Sequence, residues 1–260
     1  MKELQWKLVW ITGGGTGIGR STALSLSESG ARVIISGRTE NALKAVADES
    51  VAQHHSGSVI PLVLDMTDQV AVGQAVELIE AEYGKLDLAL LCAGNHQSMP
   101  VDRFSATTCR ELMEVNYFGV MNALDALLPR MLARDSGVLG VVASVAGYRG
   151  LPTAAAYGGS KAALINACEA LATELRGTGV HLSLINPGFV RTPLTDKNSF
   201  PMPFLIEADD AASAILKGLQ RKRFEIAFPW TFVLQLKIMR LLPYFIYLPL
   251  IRKVTGADAK

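Results

Sequence analysis

Tyr157 and Lys161 stand four residues apart in the run Tyr157-Gly158-Gly159-Ser160-Lys161, so on a helix they share one face. A free phenol titrates at about 10. An ammonium beside it favours the phenolate and brings proton exchange nearer neutral pH, which acid–base work on an oxygen needs. Ser144 directly follows the apolar run Val138–Ala143, and its hydroxyl can hydrogen-bond the same oxygen. Far upstream, Thr12-Gly13-Gly14-Gly15-Thr16-Gly17-Ile18-Gly19 follows another apolar run. Glycines permit positive φ and a close approach of backbone to a pyrophosphate, and a helix opening there offers N–H groups to that anion. No Gly-Lys-Ser/Thr run accompanies the glycines, so this is not a triphosphatase loop. Each feature has a plain alternative. Taken alone, a Tyr and a Lys four apart are a surface pair, a Ser is a loop residue, and Asn116 is a polar helix residue making a local bond. The glycine cluster alone is a tight turn without a ligand. Only the joint occurrence, in this order, points to chemistry.

The elements that must position these residues alternate between short apolar runs and longer amphipathic segments. Strands are expected over Lys7–Thr12, Arg32–Ser36, Val59–Leu64, Leu86–Leu91, Val138–Ala143 and Val180–Ile185. Helices are expected over Gly17–Ser29, Glu40–His55, Gln69–Tyr83, Thr107–Arg134 and Ala154–Arg176. Strands apolar along their whole length are covered on both faces, a parallel-sheet signature. Strand–helix alternation makes that sheet doubly wound, with right-handed crossovers. The expected class is therefore α/β, a Rossmann-like doubly wound parallel sheet in a single domain with a hydrophobic C-terminal extension. Ser144 then lies at a strand's carboxyl end, where open parallel sheets gather ligands.

Composition narrows the field. Half of the 260 residues are apolar and 19% are charged, a globular balance. Twenty-five Lys and Arg against 24 Asp and Glu give a net charge of +1, without the basic surplus of a nucleic-acid binder. Cys92, Cys109 and Cys168 are far apart and odd in number, which argues against a disulfide framework or zinc site and fits a reducing, cytoplasmic setting. No carboxylate pair or Cys/His cluster has metal-ligand spacing, so no metal is expected. His54, His55, Glu169 and Glu174 read as solvated surface, whereas His96, just past Gly94, is a candidate substrate contact. The start, Met1 to Trp6, is too polar for a secretory signal.

Taken in order, these motifs resemble the short-chain dehydrogenase/reductase family over about residues 5–227. The match rests on Gly13, Gly17 and Gly19 in Gly-x-x-x-Gly-x-Gly, on Asp65-Met66 after the third strand, and on Cys92-Ala93-Gly94 after the fourth. It continues with Asn116 in Val-Asn-Tyr-Phe-Gly, Ser144, Tyr157 with Lys161, and Pro187-Gly188 with Val190 and Thr192. Cys92 departs from the family's asparagine and reads as a packing change. The resemblance implies hydride transfer between a nicotinamide cofactor and a carbonyl or secondary alcohol. Tyr157 would be the acid–base, Lys161 its electrostatic partner and ribose ligand, and Ser144 the group polarising the carbonyl. Asn116 would kink its helix and anchor a water that relays protons to Lys161. Gly13, Thr16, Gly17, Ile18, Gly19, Asp65, Met66, Ala93, Gly94, Pro187, Gly188, Val190 and Thr192 would line the cofactor. A homodimer through the two long helices, 107–134 and 154–176, is also implied.

The choice of cofactor follows from the second strand. A carboxylate at its end would bind an NAD ribose and repel a phosphate. Here that position is Gly37, followed by Arg38, whose planar fork suits phosphate, so NADP(H) is expected. A non-catalytic NADP(H)-binding regulator, or a membrane-peripheral protein on the same fold, is the alternative function.

Two segments bear on the substrate. Phe189–Ile206 holds Phe189, Leu194, Phe200, Met202, Phe204 and Leu205 and should form much of a lid, either around a hydrophobic substrate or packed on its own core. The catalytic and NADP-binding unit is expected over 1–227, with an apolar, basic extension over 228–260. Phe228–Ile251 is apolar, but Lys237 and Arg240 interrupt it and Pro243 and Pro249 would break a spanning helix. Trp230, Tyr244 and Tyr247 suit a headgroup layer, and Lys237 and Arg240 could snorkel while Leu234, Ile238, Leu241 and Leu242 dip into lipid. The same residues would equally cover the protein's own cleft or a dimer partner.

Overall fold

The computed structural model describes residues 5–196 and 202–255. Phe200 of the expected lid lies outside them. Seven strands form one parallel sheet: β1 (Leu8–Thr12), β2 (Arg32–Gly37), β3 (Ser58–Val63), β4 (Leu88–Leu91), β5 (Gly137–Val142), β6 (Val180–Pro187) and β7 (Glu225–Phe228). Their order is β3-β2-β1-β4-β5-β6-β7. The helices between them are α1 (Gly17–Glu28), α2 (Glu40–Ala52), α3 (Gln69–Tyr83), α4 (Ala106–Met113), α5 (Gly119–Ala133), α6 (Ala155–Glu174) and α7 (Ala208–Gln220). The extension forms α8 (Trp230–Leu241) and α9 (Tyr244–Thr255). The single-domain, doubly wound architecture is the one expected.

Successive side chains of a strand point to opposite faces, and here both faces are apolar. Leu8 and Trp10 of β1 join Ile79, Leu124, Leu127 and Leu164, from α3, α5 and α6, in one core. Val9 and Ile11 join Leu26, Leu43 and Ile215, from α1, α2 and α7, in the other. Central strands β1 and β4 are buried at every residue. The chain builds the sheet one way from β1 to β3, then returns to pair β4 with β1. The loops after β1 and β4 therefore diverge and leave a cleft at the carboxyl edge.

Three details depart from the sequence reading. The segment expected as one helix over Thr107–Arg134 is α4 and α5 joined by a π-helical turn, Glu114–Phe118. The helix expected to reach His55 stops at Ala52, and His55 Nδ1 lies 2.6 Å from Ser27 Oγ instead of being simply solvated. Helix α7 and strand β7 were not anticipated. Strand β7 is four residues long and opens on a glutamate, too short and too polar at its start to read as a buried strand.

Candidate active site

The glycine turn sits where β1 ends. Gly13 has φ +68° and Gly17 φ +53°, values that side chains disfavour. A Cβ on Gly13 would fall 2.8 Å from the Ala93 Cα, and one on Gly17 would fall 2.8 Å from the Thr192 methyl. Turn, β4 loop and lid thus close in on one another, and only glycine fits between them. Thr12, which the sequence reading passed over, pins this junction: its buried Oγ1 accepts the N–H groups of both Cys92 and Ala93 at 3.0 Å. Helix α1 has no side-chain cap at Thr16 and no acidic residue in its first turn, unlike α3 and α4, which Asp68 and Ser105 cap. Its first-turn N–H groups are left for an anion from elsewhere.

The cleft beside this turn is lined by Gly13, Thr16, Gly37, Arg38, Asp65, Met66, Ala93 and Gly94. Gly17, Ile18, Gly19, Pro187, Gly188, Val190 and Thr192 are not in its wall and lie along α1 and the loop after β6. The exposed Arg38 stands near Asp65. The backbone N–H of Thr67 holds the Asp65 carboxyl below its usual value against partial burial, with help from the Thr67 hydroxyl and the Arg38 charge. A glycine cradle, an open helix N-terminus and a cation at the rim fit a phosphorylated dinucleotide.

Lys161 and Tyr157 share a face of α6, and the Lys161 Nζ lies 6.0 Å from the Tyr157 ring centre. Lys161 is buried and donates to the Val142 carbonyl at 2.8 Å. Burial lowers its ammonium to about 8, against the pull of Cys92. The phenol was expected to be drawn down by this lysine. Instead burial raises Tyr157 above its ordinary value, and the Ser144 hydroxyl is the group that pulls it back. The lysine's hydrogen bond is aimed at β5, and desolvation of the phenolate wins. Ser144 stands just past β5, its Oγ accepting the Ala146 N–H at 3.1 Å. His96 stacks on Tyr157, with ring centres 4.7 Å apart and planes 12° from parallel.

Asn116 is fully buried at the centre of the π-helical turn. Its Oδ1 accepts the Asn95 N–H at 2.7 Å, and its Nδ2 donates to the Asn95 carbonyl and to Ser160 Oγ, both at 2.9 Å. The side chain thus ties the β4 loop to α6. A Cβ on Gly94 would lie 3.1 Å from Asn116 Oδ1 and 3.4 Å from Lys161 Nζ, so these groups converge on one glycine. Burial pushes the Cys92 thiol up to about 11, which keeps it neutral beside them. Among the described residues no group of three His, Cys, Asp or Glu is placed to hold a metal ion.

The lid segment folds back on itself. Ile206 N–H bonds the Phe189 carbonyl and Arg191 N–H bonds the Ile206 carbonyl, pairing Val190 with Ile206. Phe189 and Phe204 both stack on Phe232 of α8, at 5.5 and 5.8 Å. The lid's aromatics therefore pack on the extension. The extension is tied down a second time by Arg149, from the loop between Ser144 and Tyr157. One Arg149 nitrogen donates to the carbonyls of Met239, Arg240 and Leu242, and the guanidinium lies 3.8 Å over the Tyr247 ring. Tyr247 donates to the Gly150 carbonyl at 2.6 Å. Lys237 pairs with Glu225, which also accepts from Tyr148 and Asn186.

These contacts correct two readings of the tail. Lys237 does not snorkel, because Glu225 holds it. Tyr247 is buried against the Gly150 loop, not set out toward headgroups. Pro249 does not end α9, whose buried Tyr247 and Ile251 anchor both sides of it, whereas Pro243 does separate the two helices.

Residues 7–201 match the family model for short chain dehydrogenase. The chain is 39% identical over 243 residues to an uncharacterized oxidoreductase of Myxococcus xanthus, covering 94% of this chain and 95% of that one. It is 31% identical to one from Staphylococcus saprophyticus, over 85% of this chain and 94% of the relative. A short-chain dehydrogenase/reductase from Burkholderia phymatum, solved in complex with NAD, superimposes with a TM-score of 0.82 at 24% identity, over 91% of this chain and 94% of that one. The chain belongs to the short-chain dehydrogenase/reductase family and is an oxidoreductase. That family works with nicotinamide cofactors on small-molecule substrates.

Proposed function

We propose that the protein interconverts a carbonyl and a secondary alcohol with NADP(H), on a hydrophobic substrate. The observation that carries this reading is the convergence of Ser144, Tyr157, Lys161 and Asn116 at the carboxyl edge of the sheet, beside a glycine cradle built for a dinucleotide. A bound nicotinamide supplies or accepts the hydride. The chain's own residues handle the oxygen. Ser144 hydrogen-bonds the carbonyl oxygen, and Tyr157, held protonated by burial, gives it a proton. Lys161 carries its charge below about pH 8, holds the ribose hydroxyls and stabilises the phenolate left behind. Asn116 fixes the β4 loop against α6 and supports the proton relay. Gly13, Thr16, Gly17, Ile18 and Gly19 hold the pyrophosphate; Asp65, Met66, Ala93 and Gly94 flank the adenosine half; and Pro187, Gly188, Val190 and Thr192 flank the nicotinamide half.

Arg38 at the rim, with Gly37 in place of a carboxylate, favours NADP(H). The aromatic lid of Phe189 and Phe204 favours a hydrophobic substrate. In the same reading the catalytic unit spans 1–227 and the extension 228–260 closes its flank. The exposed Phe118 and Leu132, beside and on α5, favour a homodimer paired through the long helices. The free Cys92, Cys109 and Cys168 suit a reducing, cytoplasmic setting.

The test follows oxidation of NADPH and NADH by the wild-type protein with a panel of aldehydes and ketones, beside Tyr157→Phe. NADPH-linked turnover is expected in the wild type. In the variant it should fall about 10²–10⁴-fold with NADPH still bound. Turnover in Tyr157→Phe near the parental rate refutes the mechanism. No turnover with any carbonyl, in a protein that binds NADPH, favours a nucleotide-binding regulator.

A further inference from the structure

We infer that the outer face of α8 and α9 docks on the surface of an anionic lipid bilayer. Trp230, Leu234, Ile238 and Leu241 recur at helical spacing on α8, and Phe245 and Leu248 continue the stripe on α9. All six are exposed, Trp230 by 71%, Leu241 by 84% and Phe245 by 79%. So large a run of bare apolar side chains marks an interaction surface. The inner faces of the same helices are already fixed by Phe232, Lys237, Tyr247 and Arg149, so the stripe is held outward by bonds within the chain.

Charge selects the occupant. From Arg221 to Lys253 the chain holds seven Lys and Arg and one acidic residue, Glu225. That carboxylate is already bonded to Lys237, Tyr148 and Asn186. The rest of the chain holds eighteen basic against twenty-three acidic residues, so a local surplus of six positive charges sits on a body with five negative. Arg240 flanks the stripe, and Arg252 and Lys253 end α9. A two-fold pairing of this face with itself would set cations against cations with no carboxylate to meet them. An anionic bilayer meets both demands: its headgroups take the cations and its acyl boundary takes the stripe. Trp230 and Tyr244 are suited to the headgroup level. Both helices have 12 residues, and no described helix is long and apolar enough to cross a membrane, so the geometry is one of lying in the interface.

The experiment uses the full chain with vesicles of phosphatidylcholine alone and of equal parts phosphatidylcholine and phosphatidylserine. Co-sedimentation is expected with the anionic vesicles at low salt, at least about tenfold tighter than with the neutral ones, and weakened by high salt. Trp6 and Trp10 are buried and Trp230 is not, so quenching of tryptophan emission by brominated lipid reports this face. The double variant Leu241→Glu, Phe245→Glu changes two exposed positions. It should keep the wild-type melting curve and lose vesicle binding about tenfold or more. Three results overturn the inference: wild type left in the supernatant with anionic vesicles at low salt, a folded double variant that binds as well as wild type, or a dimer that the same two substitutions dissociate. The last would assign the face to a second copy. None of these readouts depends on turnover.

Discussion

Replacing Lys161 with methionine should remove activity and, near neutral pH, make the protein more stable. Burial lowers the ammonium from 10.5 to about 8. At about 1.36 kcal/mol per unit, holding that charge in the folded core costs on the order of 3 kcal/mol below about pH 8. Methionine fills similar space without a charge but leaves the Val142 carbonyl without its donor, a loss of about 1–3 kcal/mol. The variant is thus expected to gain about 1 kcal/mol at about pH 7. The sign then turns. Between about pH 8 and 10.5 the folded wild type sheds this proton while the unfolded chain keeps it, so wild-type stability rises with pH. By about pH 10.5 the cost of the charge is gone and the variant should be the weaker protein by about 2 kcal/mol. Urea unfolding of both proteins at the two pH values measures the swing, on the order of 3 kcal/mol, and the difference cancels every other titrating group. A stability difference that does not move with pH would show that Lys161 does not carry a depressed pKa in the folded protein. Turnover should fall about 10²–10⁴-fold at every pH.

Arg38→Ala should raise the Michaelis constant for NADPH by about one to two decades and leave that for NADH nearly unchanged, since charge-assisted bonds contribute about 1.5–3 kcal/mol. Arg149→Ala releases three α8 carbonyls and the Tyr247 ring; faster hydrogen exchange and proteolysis confined to residues beyond 229 are expected, with a global loss of about 1–3 kcal/mol. Thr12→Val leaves two buried N–H groups without an acceptor and should lower unfolding free energy by about 2–4 kcal/mol in a denaturant titration, weakening dinucleotide binding with it.

The parts of this structure legible in sequence are those that local pattern encodes. Apolar runs such as Leu8–Thr12 and Leu88–Leu91 announce strands covered on both faces, and the glycines at 13 and 17 announce a turn that no Cβ could enter. Tyr157 and Lys161 announce themselves by helical spacing. What distance in the chain hides is the rest. Arg149 meets the end of α8 ninety and more positions away, and Glu225 draws Tyr148, Asn186 and Lys237 together from three elements. Thr12 reaches Cys92 across eighty residues. The direction of the Tyr157 shift was misjudged for a related reason. Spacing shows that a lysine is near, but only packing shows that burial outweighs it.

The π-helical turn at Glu114–Phe118 makes chain length, not residue identity, the inherited constraint on this stretch. A one-residue deletion there would restore a regular helix, yet rotate everything beyond it by about 100°. Val120, Ala123, Leu124, Leu127 and Met131, now turned into the core, would swing off it together, and Asn116 would leave the loop it holds. Substitutions can be sampled one at a time across this segment, with each failure local. A change of length cannot be taken in steps, because the core on one side and the site on the other are phased by the same extra residue.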